Sequence, residues 1–296
     1  MNTALIQKIK TAYQQTFKTE PLMIFSPGRI NIIGEHTDYN DGFVFPAAVN
    51  KGIVAAIGKS DSNQSKALAV DKDNLVTFSL DTLKPSAEGS WENYVFGVVA
   101  EIQNRSKTIG NFNIALGGDI PAGSGMSSSA ALENSVVFGL NELFELGLTK
   151  EEMILISQKA EHNYVGVKCG IMDQYASMFG IENHALLLDC RTVTSKPYKI
   201  DFKDHELILI NTNVKHSLSD SAYNDRRSVC ESVAAMLKVK ALRDATEYDL
   251  EAIRDKVTPE NYQKALYVIQ ENNRAVQASK AMEAGDLQTL GALIYA

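Results

Sequence analysis

The strongest constraint in this sequence is a change of hydrophobic rhythm along its length. Up to about residue 210, strand-like apolar runs alternate with helical stretches, whereas from Ser219 onward the spacing is almost wholly helical. The first part reads as strands at Leu22–Ser26 and Gly52–Ile57, short alternating runs such as Leu75–Leu80, a helix over WENYVFGVVAEIQNR and a strand over NFNIALGGD. Helices follow around Lys150–Gly166 and Ile171–Phe179, with strands at Ala185–Leu188 and Glu206–Ile210. The later part reads as helices over NDRRSVCESVAAMLK, EYDLEAIRDK, Pro259–Ala284 and a last stretch from Leu287. Strands early and helices late predict an α+β architecture in two parts, with a mixed sheet carrying helices on one face. A turn-like segment at Lys196–Pro197 sets the expected boundary, giving an N-terminal domain of 1–196 and a mostly helical domain of 197–296.

The opening MNTALIQKIKTAYQQTFK puts Leu5, Ile6, Ile9, Tyr13 and Phe17 near one helix face, without the apolar core or small-residue cleavage site of a signal peptide. No run approaches the roughly 18 apolar residues of a membrane span. Cys169, Cys190 and Cys230 are scattered, with no metal-site spacing, as expected of reduced thiols in a cytoplasmic protein. A formal net charge of -7 argues against nucleic acid as a partner, since phosphate backbones are bound through clustered Lys and Arg. Nothing in the sequence speaks to oligomeric state.

Chemistry first appears in PAGSGMSSSAALE. Gly123 and Gly125 allow close backbone approach, and Ser127, Ser128 and Ser129 open a helix whose first N–H groups lack intrahelical partners. That assembly is an anion site, with hydroxyls able to add a metal ligand; a glycine turn with serine N-caps is the plainer alternative. GIVAAIGKS at Gly52–Ser60 imitates a Walker loop, but it has one residue too many between its glycines and a strand-like interior. A second segment, GRINIIGEHTDY, gathers Arg29, Glu35, His36 and Asp38 within ten residues. Carboxylates flanking an imidazole suit the vicinal hydroxyls of a sugar, and a solvated polar loop is the alternative.

GRINIIGEHTDYNDG resembles the signature of galactokinases, members of the GHMP kinase superfamily. GSGMSSSAALE, AEHNYVGVKCGIMDQYAS at Ala160–Ser177 and NTNVKHSLSDSAYNDRR at Asn211–Arg227 agree with it in order and spacing. WENYVFGVV resembles the adenine-side helix of that family. The resemblance implies a two-domain fold with its site in the interdomain cleft. It also implies ATP- and Mg²⁺-dependent phosphorylation of the 1-hydroxyl of D-galactose. By it, Glu35, His36, Asp38, Gly170, Asp173 and Tyr223 contact the sugar, with Asp173 as base and Arg29 as its partner. Gly123, Ser124, Gly125, Met126, Ser127, Ser128 and Ser129 take the phosphates, Ser129 and Glu161 hold Mg²⁺, and Trp91 and Tyr94 lie near adenine. The plainer alternatives are a helix-face salt bridge for Glu161, an N-cap for Asp173, and core packing for Trp91 and Tyr94, three apart on a helix.

The superfamily's third motif, a C-terminal glycine-rich loop resembling GAGFGG, has no counterpart here, and DLQTLGALIYA ends without a helix cap. The expectation is a C-terminally shortened chain that binds galactose weakly or not at all and turns over far more slowly than a C-terminally completed one. Rival readings are a galactose-responsive sensor, against which the intact serine loop speaks, and another acceptor: N-acetylgalactosamine, mevalonate or homoserine.

Overall fold

Asn2 starts the first helix, α1 (Thr3–Phe17), by accepting a hydrogen bond from the Leu5 N–H at 3.2 Å, and Lys18 ends it with a left-handed φ of 61°. The computed structural model describes residues 2–121, 123–211 and 221–296. After α1 come β1 (Leu22–Asn31), β2 (Phe43–Val44), β3 (Pro46–Lys59), β4 (Ser65–Ala69) and β5 (Asn74–Phe78). Next are α2 (Glu92–Asn104), β6 (Phe112–Gly118), α3 (Ser128–Phe144), α4 (Lys150–Ala160) and α5 (Met172–Phe179). The chain closes with β7 (His184–Asp189), β8 (Thr194–Lys199), α6 (Ser221–Leu237), α7 (Glu247–Glu251), α8 (Pro259–Ala284) and α9 (Leu287–Tyr295). Among the described residues no helix is long and apolar enough to cross a membrane.

Five strands form a mixed sheet in the order β1-β3-β6-β4-β5, antiparallel except for the parallel pair β4–β6. On β3, Val54 and Ala56 pack into a cluster with Leu5, Ile9 and Tyr13 of α1. The alternate residues Ala55 and Ile57 join a second cluster with Val95 and Val98 of α2 and Val136 and Leu140 of α3. Helices therefore cover both faces of the sheet, not one as the sequence suggested. Two buried faces also explain why GIVAAI is apolar without a break. Ile57 and Ile114, fully buried partners across the β3–β6 ladder, contribute about 1.5–3 kcal/mol each by burial.

A smaller antiparallel sheet, β2-β7-β8, packs Phe45, Ala185 and Tyr198 with Ala275, Ala278 and Met282 of α8. Further toward its N-terminus, α8 presents Ala265, Val268 and Ile269 to Cys230, Val233 and Ala234 of α6.

Three local expectations are corrected. Lys196–Pro197 is no turn but part of β8, opposite Leu187 and Leu186; an edge strand tolerates the proline because one side of its ladder is unpaired. Glu206–Ile210 alternates like a strand but is irregular, with Ile208 and Ile210 exposed, because no neighbouring strand pairs with it among the described residues. The first strand does not stop at Ser26. It runs to Asn31, absorbing Pro27 at a register shift before Arg29.

Candidate active site

That longer strand makes Arg29 a rigid fixture instead of a loop residue. From β1 its Nε and Nη2 donate to Asp173 Oδ1 at 2.8 and 2.7 Å, and Nη1 donates to the Gly125 carbonyl at 2.5 Å. Its main-chain N–H donates to the Met126 carbonyl at 3.2 Å. One residue thus joins the sheet, the serine loop and α5. Its burial works against the guanidinium charge, but Asp173, Glu35 and Asp38 outweigh that and hold it firmly protonated. Asp173 does not cap α5: Ile171 holds the N-cap position and Asp173 lies in the first turn. Its other oxygen, Oδ2, accepts from the Ser127 hydroxyl at 2.5 Å.

Ser127 stands at the N-cap of α3 with φ 53° and makes no side-chain cap there. The serine loop is therefore not a self-capped turn. Its first-turn N–H groups keep their capacity for an anion, and the helix dipole adds to it. Gly123 and Gly125 have φ of 69° each, while the buried Ser124 hydroxyl has no hydrogen-bond partner among the described residues. The Walker imitation lies within β3 and ends at Lys59 and Ser60, as its strand-like interior indicated.

The GEHTD loop hangs from β1 beside this centre. Gly34 and His36 have φ of 102° and 65°, and Thr37 ties the bend by donating its hydroxyl to the carbonyls of Gly34 and Phe43. Glu35 is exposed and accepts from Asn31 Nδ2 at 2.9 Å. His36 Nδ1 lies 2.8 Å from the Tyr39 hydroxyl, and both rings adjoin Tyr223 of α6, with centroids 5.9 and 5.4 Å away. Burial, then the charge of Arg226, lowers His36 to about 4, so its ring is neutral near pH 7. Burial, then Asp173 and Glu35, raises Asp38 to about 7. The Asp38 carboxylate sits directly over Gly170, where a Cβ would occupy its space; only glycine lets it in. The irregular segment before Gly170 is pinned by α6: Asn224 Oδ1 accepts from Lys168 N at 2.9 Å and Arg227 Nη1 donates to the Lys168 carbonyl at 2.9 Å.

Glu161 begins a π-helical turn, Glu161–Val165, at the end of α4. It is buried and forms no salt bridge with Lys or Arg among the described residues, so the helix-face ion pair is not what it makes. Burial, then Asp173, raises it to about 7 against the pull of hydrogen bonds from Ser129, Cys169 and Gln174. Gln174 Nε2 donates to it at 3.0 Å, and the fully buried Glu133 beside it is raised well above the usual carboxylate range, first by burial. Among the described residues no three His, Cys, Asp or Glu side chains gather into a metal cage. A hydroxyl and an under-compensated carboxylate are nonetheless hard oxygen donors, which fits a cation that keeps waters and phosphate oxygens as its remaining ligands.

Trp91 and Tyr94 edge a cleft of about 260 Å³ with Ser128, Ser129, Leu132 and Gly117. Trp91 donates from Nε1 to Asn74 Oδ1 at 3.0 Å, and Tyr94 is almost wholly buried with its hydroxyl toward Glu161 and Glu133. Both pack into the core, as the plainer alternative has it, and both also line the cleft. Of the described motif residues, the serine loop, Asp173, Asp38 and Tyr223 share one locality. Thr212–Asp220, within the last of the four strings, lie outside the described residues. Sequence reasoning did not foresee the Ser127–Asp173 bond, the Asn224 and Arg227 pins, the Glu133–Gln174 pair, or Glu271, which accepts from the N–H groups of Gly34 and Glu35. Glu271 sits in a plain helical pattern with nothing local to mark it.

Two family models match this chain: the galactokinase galactose-binding signature over residues 11–59, and the GHMP kinases N terminal domain over residues 93–181. In structure it is similar to Lactococcus lactis galactokinase complexed with galactose, at 33% sequence identity and a TM-score of 0.91 over 98% of this chain and 77% of that one. The chain belongs to the galactokinase family. More distant members of the GHMP kinase fold agree in architecture alone. A D-glycero-D-manno-heptose 1-phosphate kinase from Bacteriodes thetaiotaomicron is 17% identical, with a TM-score of 0.59 over 92% of this chain and 76% of that one. Methanococcus jannaschii mevalonate kinase is 14% identical, with a TM-score of 0.55 over 89% of this chain and 80% of that one. As a galactokinase-family chain it is a sugar kinase that transfers phosphate from a nucleotide.

Proposed function

We propose that this galactokinase-family chain transfers the γ-phosphoryl group of ATP directly to the 1-hydroxyl of D-galactose, giving galactose 1-phosphate and ADP. The observation that carries the reading is Asp173. Its carboxylate is gripped on one oxygen by Arg29 and on the other by Ser127, at the mouth of an uncapped helix N-terminus. Asp173 is the base: it accepts the proton of the 1-hydroxyl as that oxygen attacks phosphorus. The bond from the γ-phosphorus to the β–γ bridging oxygen breaks, and ADP departs with the electron pair. Arg29 holds the carboxylate in place with two N–H groups and steadies the forming alkoxide.

Glu35, His36, Asp38, Gly170 and Tyr223 hold the sugar. Neutral His36 both donates and accepts, and Asp38, near its midpoint at neutral pH, can do either. Residues 123–129 take the phosphates, and Trp91 and Tyr94 flank the adenine. Ser129 and Glu161 would hold Mg²⁺, which would supply positive charge against the phosphate oxygens. Tyr223 apart, these residues fall within 1–196, and the mostly helical part, 197–296, supplies Tyr223 from α6. Three free cysteines suit a cytoplasmic location.

The test is ADP release from ATP with a panel of free hexoses, N-acetylgalactosamine, mevalonate and homoserine. Galactose should head the panel by kcat/KM. Binding of galactose without turnover would favour a sensor, and preference for any other acceptor would overturn the reading.

A further inference from the structure

The GEHTD loop has an unusual anchorage. Its backbone visits the left-handed region at Gly34 and His36, so its amides cannot join a strand ladder and need other acceptors. At the start of the loop, Glu271 Oε1 of α8 accepts from the N–H of Gly34 at 2.7 Å and of Glu35 at 3.1 Å. At its end, Asn272 Oδ1 accepts from the Phe43 N–H at 2.8 Å. Two consecutive residues of one helix thus hold both ends of the loop.

The Glu271 carboxylate is itself oriented. It is 5% exposed, and its Oε2 accepts from Arg274 Nε at 2.7 Å. The Arg274 guanidinium lies over Tyr267 at 5.5 Å, and Arg226 of α6 lies over the same ring at 5.3 Å. The charge of Arg226 also bears on His36 and on the Tyr39 hydroxyl. The chain of contacts leaves the loop backbone through Glu271 and returns to the loop's side chains through Arg226. A charged acceptor makes stronger bonds to N–H than a neutral one. A buried carboxylate so paired is costly to keep merely as filling among alanines and valines.

We propose that Glu271, seconded by Asn272, is a positioning residue for the sugar loop and sets the affinity for galactose from a helix outside the two stretches that the family models match. It touches no reacting atom. It fixes the backbone that carries Glu35, His36 and Asp38, and so acts on sugar binding and not on the nucleotide cleft. The proposal rests on the reading of this loop as the sugar site.

Steady-state kinetics on the full chain test it. Glu271→Met keeps the bulk and removes the acceptor; galactose KM should rise about 10- to 100-fold while the KM for ATP stays within about threefold. Glu271→Gln keeps an acceptor oxygen and should return galactose KM to within about fivefold of the parent. An unchanged galactose KM in Glu271→Met, or an equal rise in both KM values, overturns the proposal. If Glu271→Met does not fold, Arg274→Met decides. It spares the carboxylate but frees its orientation, and should raise galactose KM alone by about 3- to 10-fold; no change overturns the proposal. Should the parent fail to use galactose at all, the sugar reading falls, and hydrogen exchange judges the clamp separately. Faster exchange at 34–43 in whichever variant folds supports it, and exchange equal to the parent overturns it.

Discussion

Ser127 gives its hydroxyl to Asp173 at 2.5 Å instead of capping the helix it begins. The residue that would ordinarily finish α3 is spent on the reacting carboxylate, and the two halves of the site are coupled at that point. Replacing Ser127 with Ala should lower kcat by about tenfold, the cost of a hydrogen bond to a charged group, with galactose KM little changed. A variant whose kcat matches the parent would mean that Arg29 alone orients Asp173.

Asp173→Asn is the direct test of the base. The amide keeps the shape and can still accept from Arg29, but it cannot take the proton. Turnover should fall about 10²- to 10⁴-fold with galactose affinity nearly intact, measured by kcat and by calorimetric titration. Near-normal turnover would assign the base elsewhere.

Asp38 makes a prediction about pH. Its folded-state value near 7 lies above the ordinary 3.8, so the folded protein binds the extra proton between those limits. Stability from this group is full below about pH 4 and is lost as pH rises through 7. Asp38→Asn removes the penalty. Its melting temperature should exceed the parent's most at pH 8 and least at pH 4, while galactose binding weakens. A stabilisation that does not change with pH would contradict the raised value.

Glu161→Gln addresses the cation. Loss of the carboxylate should raise the Mg²⁺ concentration for half-maximal rate by at least about tenfold. Mn²⁺ binding in the presence of ATP, followed by electron spin resonance, should weaken in parallel. Unchanged Mg²⁺ dependence would remove Glu161 from the ligand set.

Much of this was open to reading from the residues. The serine loop and the GEHTD string each concentrate their chemistry within a dozen residues, but residue type and spacing left a glycine turn and a solvated polar loop open, and the family resemblance, which also brought in CGIMDQ, decided between them. Helix starts were legible locally: Thr149 and Glu152 form a capping box at α4, and Thr258 with Pro259 starts α8. The strand over Gly52–Ile57 was legible through its unbroken apolar run.

What the chain's order could not display is anything that depends on which elements become neighbours. Glu206–Ile210 has a strand's alternation, but alternation makes a strand only where a partner ladder lies alongside, and none does among the described residues. Arg29 reads as a loop residue until β3 pairs with β1 past the register shift and makes it strand. Trp91 and Tyr94 left core packing and a ligand contact both open in the sequence, and the fold shows that they pack in the core at the edge of a cleft. Glu271 is the extreme case. Nothing within α8 distinguishes it from a surface glutamate, and its role appears only when residues 237 positions apart are brought within hydrogen-bond reach. Local patterns determine which chemistry the chain carries, because side-chain type and backbone propensity act over a few residues. The tertiary structure decides how that chemistry is aimed, because burial, pKa shifts and the partners of buried amides are set by contacts between segments far apart in sequence.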